Sequence, residues 1–399
     1  MFGTFAVILA ASMLATSARA ASEAVVYSFK GTPDGANPAG TLLKVGDMLF
    51  GTTTAGGTYN KGTVFSISPQ GVEKVLWSFG NGKDGVTPNG TLVELNGVIY
   101  GTTEVGGKFY DGTVFSITLA GVERVVWNFG TRGANNRPDG TVPYAGLTVV
   151  DGVLWGAASG GGFHGAGTIF SLTPAGAETV VYNIPEHYSA PTSPLFYLNG
   201  LLYGTTNGSG TGGSGLVFSL SPSGVEKNVY EFPYYTSPSP YGAFPNALIN
   251  VGNRFWGTTQ GGGLYPQGGN DSGSGGGTAY SLTLGGAFKT LWNFGAPNSN
   301  DGVGPNGALI NVGGTFYGIT FGGGDPEAGP HGGSCGTIFS ITSAGVESVL
   351  YPFHGYNIRN NPLDGCFPYG ALTEIGTKFY GTTFEGGAYS AGTVFSMSR

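Results

Sequence analysis

Charge is scarce in this 399-residue chain: Lys, Arg, Asp and Glu make up 10% of it, and the formal net charge is −7. No basic cluster exists to neutralise a row of phosphates, so nucleic acid is excluded as a partner. Cysteine is scarcer still, with Cys335 and Cys366 alone. No Cys-x-x-Cys or His-x-His spacing occurs, so neither a metal site nor a cofactor is expected. Beyond residue 20 no sustained 3.6-residue apolar period appears, which argues against helix. Nor is any apolar run there long enough to cross a bilayer as a helix, so the mature chain should hold no membrane span.

Glycine and aromatic residues are plentiful: 77 Gly and 23 Pro beside 26 Phe, 21 Tyr and 5 Trp. So much glycine and proline without a period would suggest disorder. Here there is a period. The tetrad Tyr100-Gly101-Thr102-Thr103 returns at Phe50–Thr53, Tyr203–Thr206, Trp256–Thr259 and Tyr380–Thr383, with looser copies at Trp155–Ala158 and Tyr317–Thr320. A second tag, Gly112-Thr113-Val114-Phe115-Ser116, also has seven copies, with its glycine at 62, 112, 167, 215, 277, 336 and 392. Tetrads follow one another at intervals of 48 to 63 residues, the range of repeat arrays and propellers.

Each unit reads as four short strands, a to d. In the second copy these are Leu92–Leu95, Val98–Thr103, Thr113–Thr118 and Glu123–Phe129. Asn96-Gly97 and Ala120-Gly121 supply the tight turns, and Val, Ile, Thr, Trp and Phe dominate between them. Seven such units predict an all-β, seven-bladed β-propeller with four antiparallel strands per blade. The blades fall at 41–79, 91–129, 146–184, 194–232, 247–294, 308–353 and 371–398 plus 23–29. The last assignment follows from the ends. Glu23–Phe29 matches strand d of a unit but has no a to c before it, while the seventh unit stops after strand c at Gly392–Arg399. Strand 25–29 should therefore complete the last blade and close the ring, removing an exposed edge. Residues 1–20 stand outside the pattern. The apolar run Phe5–Leu14 followed by Ala18-Arg19-Ala20 reads as a signal peptide cut after Ala20, although no Lys or Arg precedes it. That leaves 21–399 as one propeller domain, expected to be a monomer that is secreted, periplasmic or at the cell surface.

Antiparallel strands put the d–a and b–c connections on one face of the disc and the a–b and c–d turns on the other. The second face is terse. The first carries the variation: from tetrad glycine to tag glycine, five b–c connections span 11 residues, whereas blade 5 spans 20 and blade 6 spans 18. Long connections on a rigid scaffold commonly carry function. The d–a connections repeat Asp-Gly followed by Pro, with Asp at 34, 84, 139, 301 and 364; one carboxylate per loop is a poor calcium set, and Asp-Gly reads as turn chemistry. Cys335 and Cys366 lie on this face at the boundary of blades 6 and 7 and should form a disulfide. Tyr234, Tyr235, Tyr241, Tyr265, His331 and His354 cluster in the same sector and are the candidate binding residues, since tyrosine offers a flat apolar ring with a polar tip. They could equally pack the loops down.

The combination of YGTT, a Gly-Gly pair, GTVFS and an aromatic strand d resembles the tandem repeat of the GloVer-containing "choice-of-anchor" proteins over nearly all of 23–398. The resemblance implies export and a repeat fold and no catalytic residue. Alternative surface anchors are implied by the family's name, but this chain ends at Phe395-Ser396-Met397-Ser398-Arg399 without a sorting tail. The leading expectation is a module that binds a glycan or a protein at the cell envelope through its loop face. A propeller-type polysaccharide hydrolase or lyase is the alternative, and a purely structural surface protein is the third reading. An enzyme would need a pair of carboxylates, one with raised pKa. The acids that recur at the start of strand d, Glu23, Glu73, Glu123, Glu178, Glu226 and Glu347, look structural, so no catalytic residue is assigned.

Overall fold

Two recurring glycines decide how each unit folds. In the computed structural model, which describes residues 22–131, 138–234, 239–265, 275–297, 299–324, 335–354 and 364–399, the tetrad glycine of strand b lies under the phenylalanine of the second tag. A Cβ added to Gly101 would sit 2.6 Å from Phe115 Cζ, and the same approach recurs at Gly51 with Phe65, Gly156 with Phe170, Gly204 with Phe218, Gly318 with Phe339 and Gly381 with Phe395. The two sequence tags are thus the two halves of one contact. The last tetrad threonine seals it from the side: Thr103 and Thr113 share a buried hydroxyl–hydroxyl bond of 2.8 Å, and Thr53–Thr63, Thr259–Thr278, Thr320–Thr337 and Thr383–Thr393 repeat it.

The second glycine is the one in the c–d turn. Strand d carries a β-bulge one residue before its aromatic in every blade, for example between Val125 and Trp127. The bulge turns a carbonyl outward toward the next blade. Gly121, at φ +90°, approaches the carbonyl of Leu76 so closely that a Cβ would lie 2.9 Å from it. Only a residue without Cβ fits there, which explains why this turn keeps its glycine.

Seven four-stranded antiparallel sheets result, and no helix occurs among the described residues. Blade 1 runs Gly35–Val45, Met48–Gly56, Thr63–Ile67 and Glu73–Ser78. Strand a begins upstream of the expected start in blades 1, 6 and 7, at Gly35, Gly302 and Cys366, because the Asp-Gly-x-x-Pro segment pairs with a glycine-rich extension of strand b, as in Gly35 with Gly56. In blades 2 and 5 strand a is split in two, Val86–Pro88 with Val93–Leu95 and Ser239–Pro245 with Ile249–Val251. Strands of successive blades touch all the way round. Blade 7 comprises Cys366–Ile375, Lys378–Glu385 and Thr393–Ser398, and Glu23–Ser28 pairs with Thr393–Ser398 as its strand d. Blade 7 thereby has its full complement of four strands.

Blades are held to one another by a repeated edge-to-face contact. The phenylalanine after strand d meets the strand c aromatic of the next blade: Phe29 with Phe65, Phe79 with Phe115, Phe129 with Phe170, Phe232 with Tyr280, Phe294 with Phe339 and Phe353 with Phe395, with centroids 4.9–5.4 Å apart. All twelve rings are buried. At the boundary of blades 3 and 4 Ile184 stands in place of the phenylalanine.

The loop-borne Asp of the sequence pattern does more than turn the chain. It is a buried latch in which the strand d aromatic and the backbone beyond it both donate to the carboxylate. Trp77 Nε1 donates to Asp84 at 3.2 Å and Gly80 N at 3.2 Å. Trp127 and Gly130 do so to Asp139, Trp292 and Gly295 to Asp301, Tyr27 and Lys30 N to Asp34, and Tyr351 and His354 N to Asp364. The strand d Glu of the following blade comes close to the same Asp. Burial, and then the neighbouring Asp, pushes Glu23 and Glu178 up to about 8 and Glu73, Glu123 and Glu347 up to about 7.

The disulfide expected between Cys335 and Cys366 is present, with Cα atoms 4.5 Å apart. Both cysteines are fully buried, and they tie the b–c connection of blade 6 to strand a of blade 7. It closes a loop of 31 residues, worth about 3 kcal/mol in the chain-entropy model. Reduction, or Cys335→Ser with Cys366→Ser, should lower the thermal midpoint without changing the far-ultraviolet spectrum of the folded protein; an unchanged midpoint would contradict this.

The latch acids predict an unusual pH dependence. Each Glu holds its proton in the folded chain to about pH 7–8 but releases it near 4.5 when unfolded. The folded state binds more protons between these limits, so this contribution is complete below about pH 4.5 and is lost as pH rises through 7–8. Thermal midpoints measured from pH 5 to pH 8 should fall, and Glu→Gln at positions 73, 123 and 347 together should flatten the profile. A midpoint that rises across the interval would sink this account.

Candidate functional site

The d–a/b–c face opens into the centre of the ring. A cavity of about 700 Å³ lies there, lined by the beginning of strand a in all seven blades and by Asn207 and Gln260 from the ends of strand b. The residue after the strand a proline recurs around it: Asn89, Tyr144, Thr192, Asn246, Asn306 and Tyr369. Among the described lining residues none carries a charge; amides, hydroxyls and backbone surround apolar patches formed by Leu195, Leu248, Leu309 and Leu372.

Polar groups here are partly committed to the scaffold. Asn246 Nδ2 donates to Thr258 Oγ1 at 3.0 Å and to the Pro305 carbonyl of the next blade at 2.7 Å. Thr41 Oγ1 accepts from Ala371 N across the closure of the ring. Asn207 Oδ1, by contrast, is buried without a protein partner. Tyr144 of blade 3 and Tyr369 of blade 7 meet hydroxyl to hydroxyl at 2.9 Å. Blades 1 and 2 separate them along the ring, so the contact spans the channel. Burial, and then the Tyr144 phenol, pushes the Tyr369 phenol well above its ordinary range, so its hydroxyl remains protonated and able to donate at neutral pH.

The six residues expected to bind do not form one group. Tyr235 and His331 lie outside the described residues. Tyr234 follows strand d of blade 4 and is 70% exposed. Tyr241 lies in the outer piece of strand a of blade 5, and Tyr265 just past strand b, whose Gly263 pairs with Ser239. Those three therefore sit around the boundary of blades 4 and 5. Tyr241 occupies the position that Asp holds in five other connections, and its ring stands 6.3 Å from Phe288. His354 is two boundaries away, between blades 6 and 7. Its Nδ1 is 3.1 Å from Asp364 Oδ2, and its ring meets Tyr351 edge to face. None of the four described side chains, Tyr234, Tyr241, Tyr265 and His354, lines the central cavity.

Among the described residues no three His, Cys, Asp or Glu side chains converge as a metal site. The raised acids all belong to blade boundaries, where an Asp, a Tyr or a Trp engages them. The cavity residues had a sequence signal: Pro-Asn-Gly-Thr-Leu at 88–92 recurs as Pro-Asn-Gly-Ala-Leu at 305–309 and Pro-Tyr-Gly-Ala-Leu at 368–372. A position after a recurring proline that is mostly Asn or Tyr reads as a pore-facing residue once strand a is known to be innermost.

One comparison with a solved structure supports the fold. A quinohemoprotein alcohol dehydrogenase from Comamonas testosteroni matches with TM-score 0.51 at 12% identity, over 95% of this chain and 76% of that one. The computationally designed protein Ika8 matches at TM-score 0.49 and 13% identity, over 92% and 99%. A europium-containing methanol dehydrogenase matches at 0.46 and 11%, over 96% and 93%. At such identity these carry nothing about chemistry. No match is found among curated proteins. The Gloeobacter/Verrucomicrobia repeat model matches residues 14–138 and 199–399, most of the chain, and with seven repeats forming seven blades this protein belongs to that repeat family.

Proposed function

We propose that this protein is an exported binding module whose ligand enters the central cavity from the d–a/b–c face, and that the ligand is the end of a neutral glycan chain of the cell envelope. The observation that carries the reading is the lining: about 700 Å³ bounded by uncharged amides, hydroxyls and two tyrosines, within the usual size of a ligand site. Hydroxyl-rich, uncharged ligands match donors and acceptors of this kind, and a phenol face stacks on a sugar ring. Asn207 Oδ1, without a protein partner, is an acceptor suited to a ligand hydroxyl. Export rests on the signal-like residues 1–20, and the Cys335–Cys366 disulfide is compatible with it. No helix among the described residues is long and apolar enough to cross a membrane.

A hydrolase or lyase acting in this cavity would need a carboxylate pair within reach of the ligand, and the described lining supplies none. The binding reading is therefore preferred over the enzymatic one.

The test is a glycan array and envelope-polysaccharide screen on residues 21–399, repeated with two sets of variants. Asn207→Leu and Tyr369→Ala should each weaken the captured glycan about tenfold or more, the equivalent of one or two lost hydrogen bonds. Tyr234→Ala and Tyr265→Ala should leave it unchanged. The reverse pattern would move the site to the outer rim of blades 4 and 5, and products released from the polysaccharide would replace binding with catalysis.

A further inference from the structure

Blades 3 and 4 meet differently from the rest. Ile184 replaces the phenylalanine after strand d, and Leu216 replaces the threonine of the second tag. Pro185 occupies the position whose N–H binds the latch Asp elsewhere, and His187, at φ +71°, occupies the Asp position itself. The donor and its acceptor have been lost together. The strand d Glu has not: Glu226 is retained, and the Tyr182 hydroxyl donates to it. Between these residues lies a cavity of about 120 Å³ that also reaches Tyr188 and Thr206. Thr206 is 4% exposed, and its Oγ1 has no protein partner.

The boundary of blades 4 and 5 is the control supplied by the same chain. It too lacks the Asp, and Pro233 again removes the donor. There, however, the Glu has gone as well: Phe288 stands in its place and stacks on Tyr230 with centroids 4.5 Å apart, while Tyr280 and Tyr241 complete a cluster of rings. A boundary that only needed to be sealed has been sealed with aromatics. The boundary of blades 3 and 4 keeps a carboxylate and open volume instead.

We propose that this cavity binds a primary ammonium on a short aliphatic stem, the chemistry shared by a lysine side chain and a free diamine. The ammonium has three donors and no acceptor. Glu226, Thr206 Oγ1 and the Tyr188 hydroxyl are acceptors for it, and Glu226 supplies the opposite charge. Tyr182 and Tyr188 rings add cation–π attraction. Ile169, Ile184 and Leu216 provide an apolar wall for the stem. The volume is well below that of ordinary ligand pockets, about 300–1,000 Å³, which suits a single linear group and excludes a sugar chain. This site is separate from the central cavity and does not depend on the function proposed for it.

Calorimetric titration of residues 21–399 at pH 7 and low salt tests it with three probes: cadaverine, Nα-acetyl-lysine methylamide and the uncharged n-pentanol. The ammonium probes should bind and pentanol should not. Binding of the lysine derivative alone would identify a protein side chain as the occupant, and binding of cadaverine alone a free amine. Glu226→Gln should weaken binding about tenfold or more. The double variant Pro185→Gly with His187→Asp should rebuild the latch, fill the cavity and abolish binding while keeping or raising the thermal midpoint, which separates loss of the site from loss of the fold. Equal heats with pentanol, no heat with either ammonium, or an undiminished Glu226→Gln response would overturn the proposal.

Discussion

The rest of the structure depends on one steric exchange: a glycine in strand b gives up its Cβ so that the tip of a phenylalanine ring in strand c can take its place. That ring then faces the preceding blade, where it meets, edge to face, the phenylalanine that ends strand d. A contact within a blade and a contact between blades therefore use the same side chain. Any substitution at the tetrad glycine would strain the blade and displace the ring from the boundary at once. This coupling explains why two short tags, rather than a long pattern, suffice to specify the repeat: they meet in space in the buried core between blades.

A second layer of the same economy is polar. The bulge in strand d aims an aromatic at the loop, the Asp of that loop accepts its proton donor and the free backbone N–H beyond it, and the next blade's Glu closes over them. Two acids at close quarters in a half-buried site cannot both ionise cheaply, so the Glu keeps its proton well above the usual carboxylate range.

The repeat count, the strand order and the closure by Glu23–Ser28 were legible because each rests on local periodicity or on matched ends. The disulfide was legible because two cysteines at one blade boundary had no other partner. The latch was not. Asp84 and Trp77 are seven residues apart in an unremarkable turn, and nothing in the spacing says that the indole N–H will point at the carboxylate; the bulge that turns it there appears only in the strand register. Nor was the exchange of Gly80-type residues for Pro185 and Pro233, which follows from a missing acceptor and makes sense only once the acceptor is known. The candidate tyrosines drew attention by being aromatic, yet Tyr241 stands where the repeat has its latch Asp and lies against Phe288, a role in packing that composition cannot distinguish from recognition.

Repeats also show where function can be sought, because identical units under identical constraints provide their own reference. Where a unit departs from the pattern and the neighbours compensate by filling space, as Phe288 and Tyr280 do, the departure is a structural repair. Where a unit departs and leaves volume beside a retained carboxylate, repair has not occurred, although the chain demonstrates one boundary away that the volume could be filled. Leaving a buried hydroxyl unsatisfied costs about 1–3 kcal/mol, and the apolar contacts forgone around the cavity add to that. A ligand that supplies the missing partners recovers both terms on binding. The same argument applies to Asn207 in the central cavity, where six blades offer alternatives and blade 4 alone presents a buried amide oxygen with no protein donor among the described residues. Both open features involve blade 4, the blade whose connections have lost the Asp on either side.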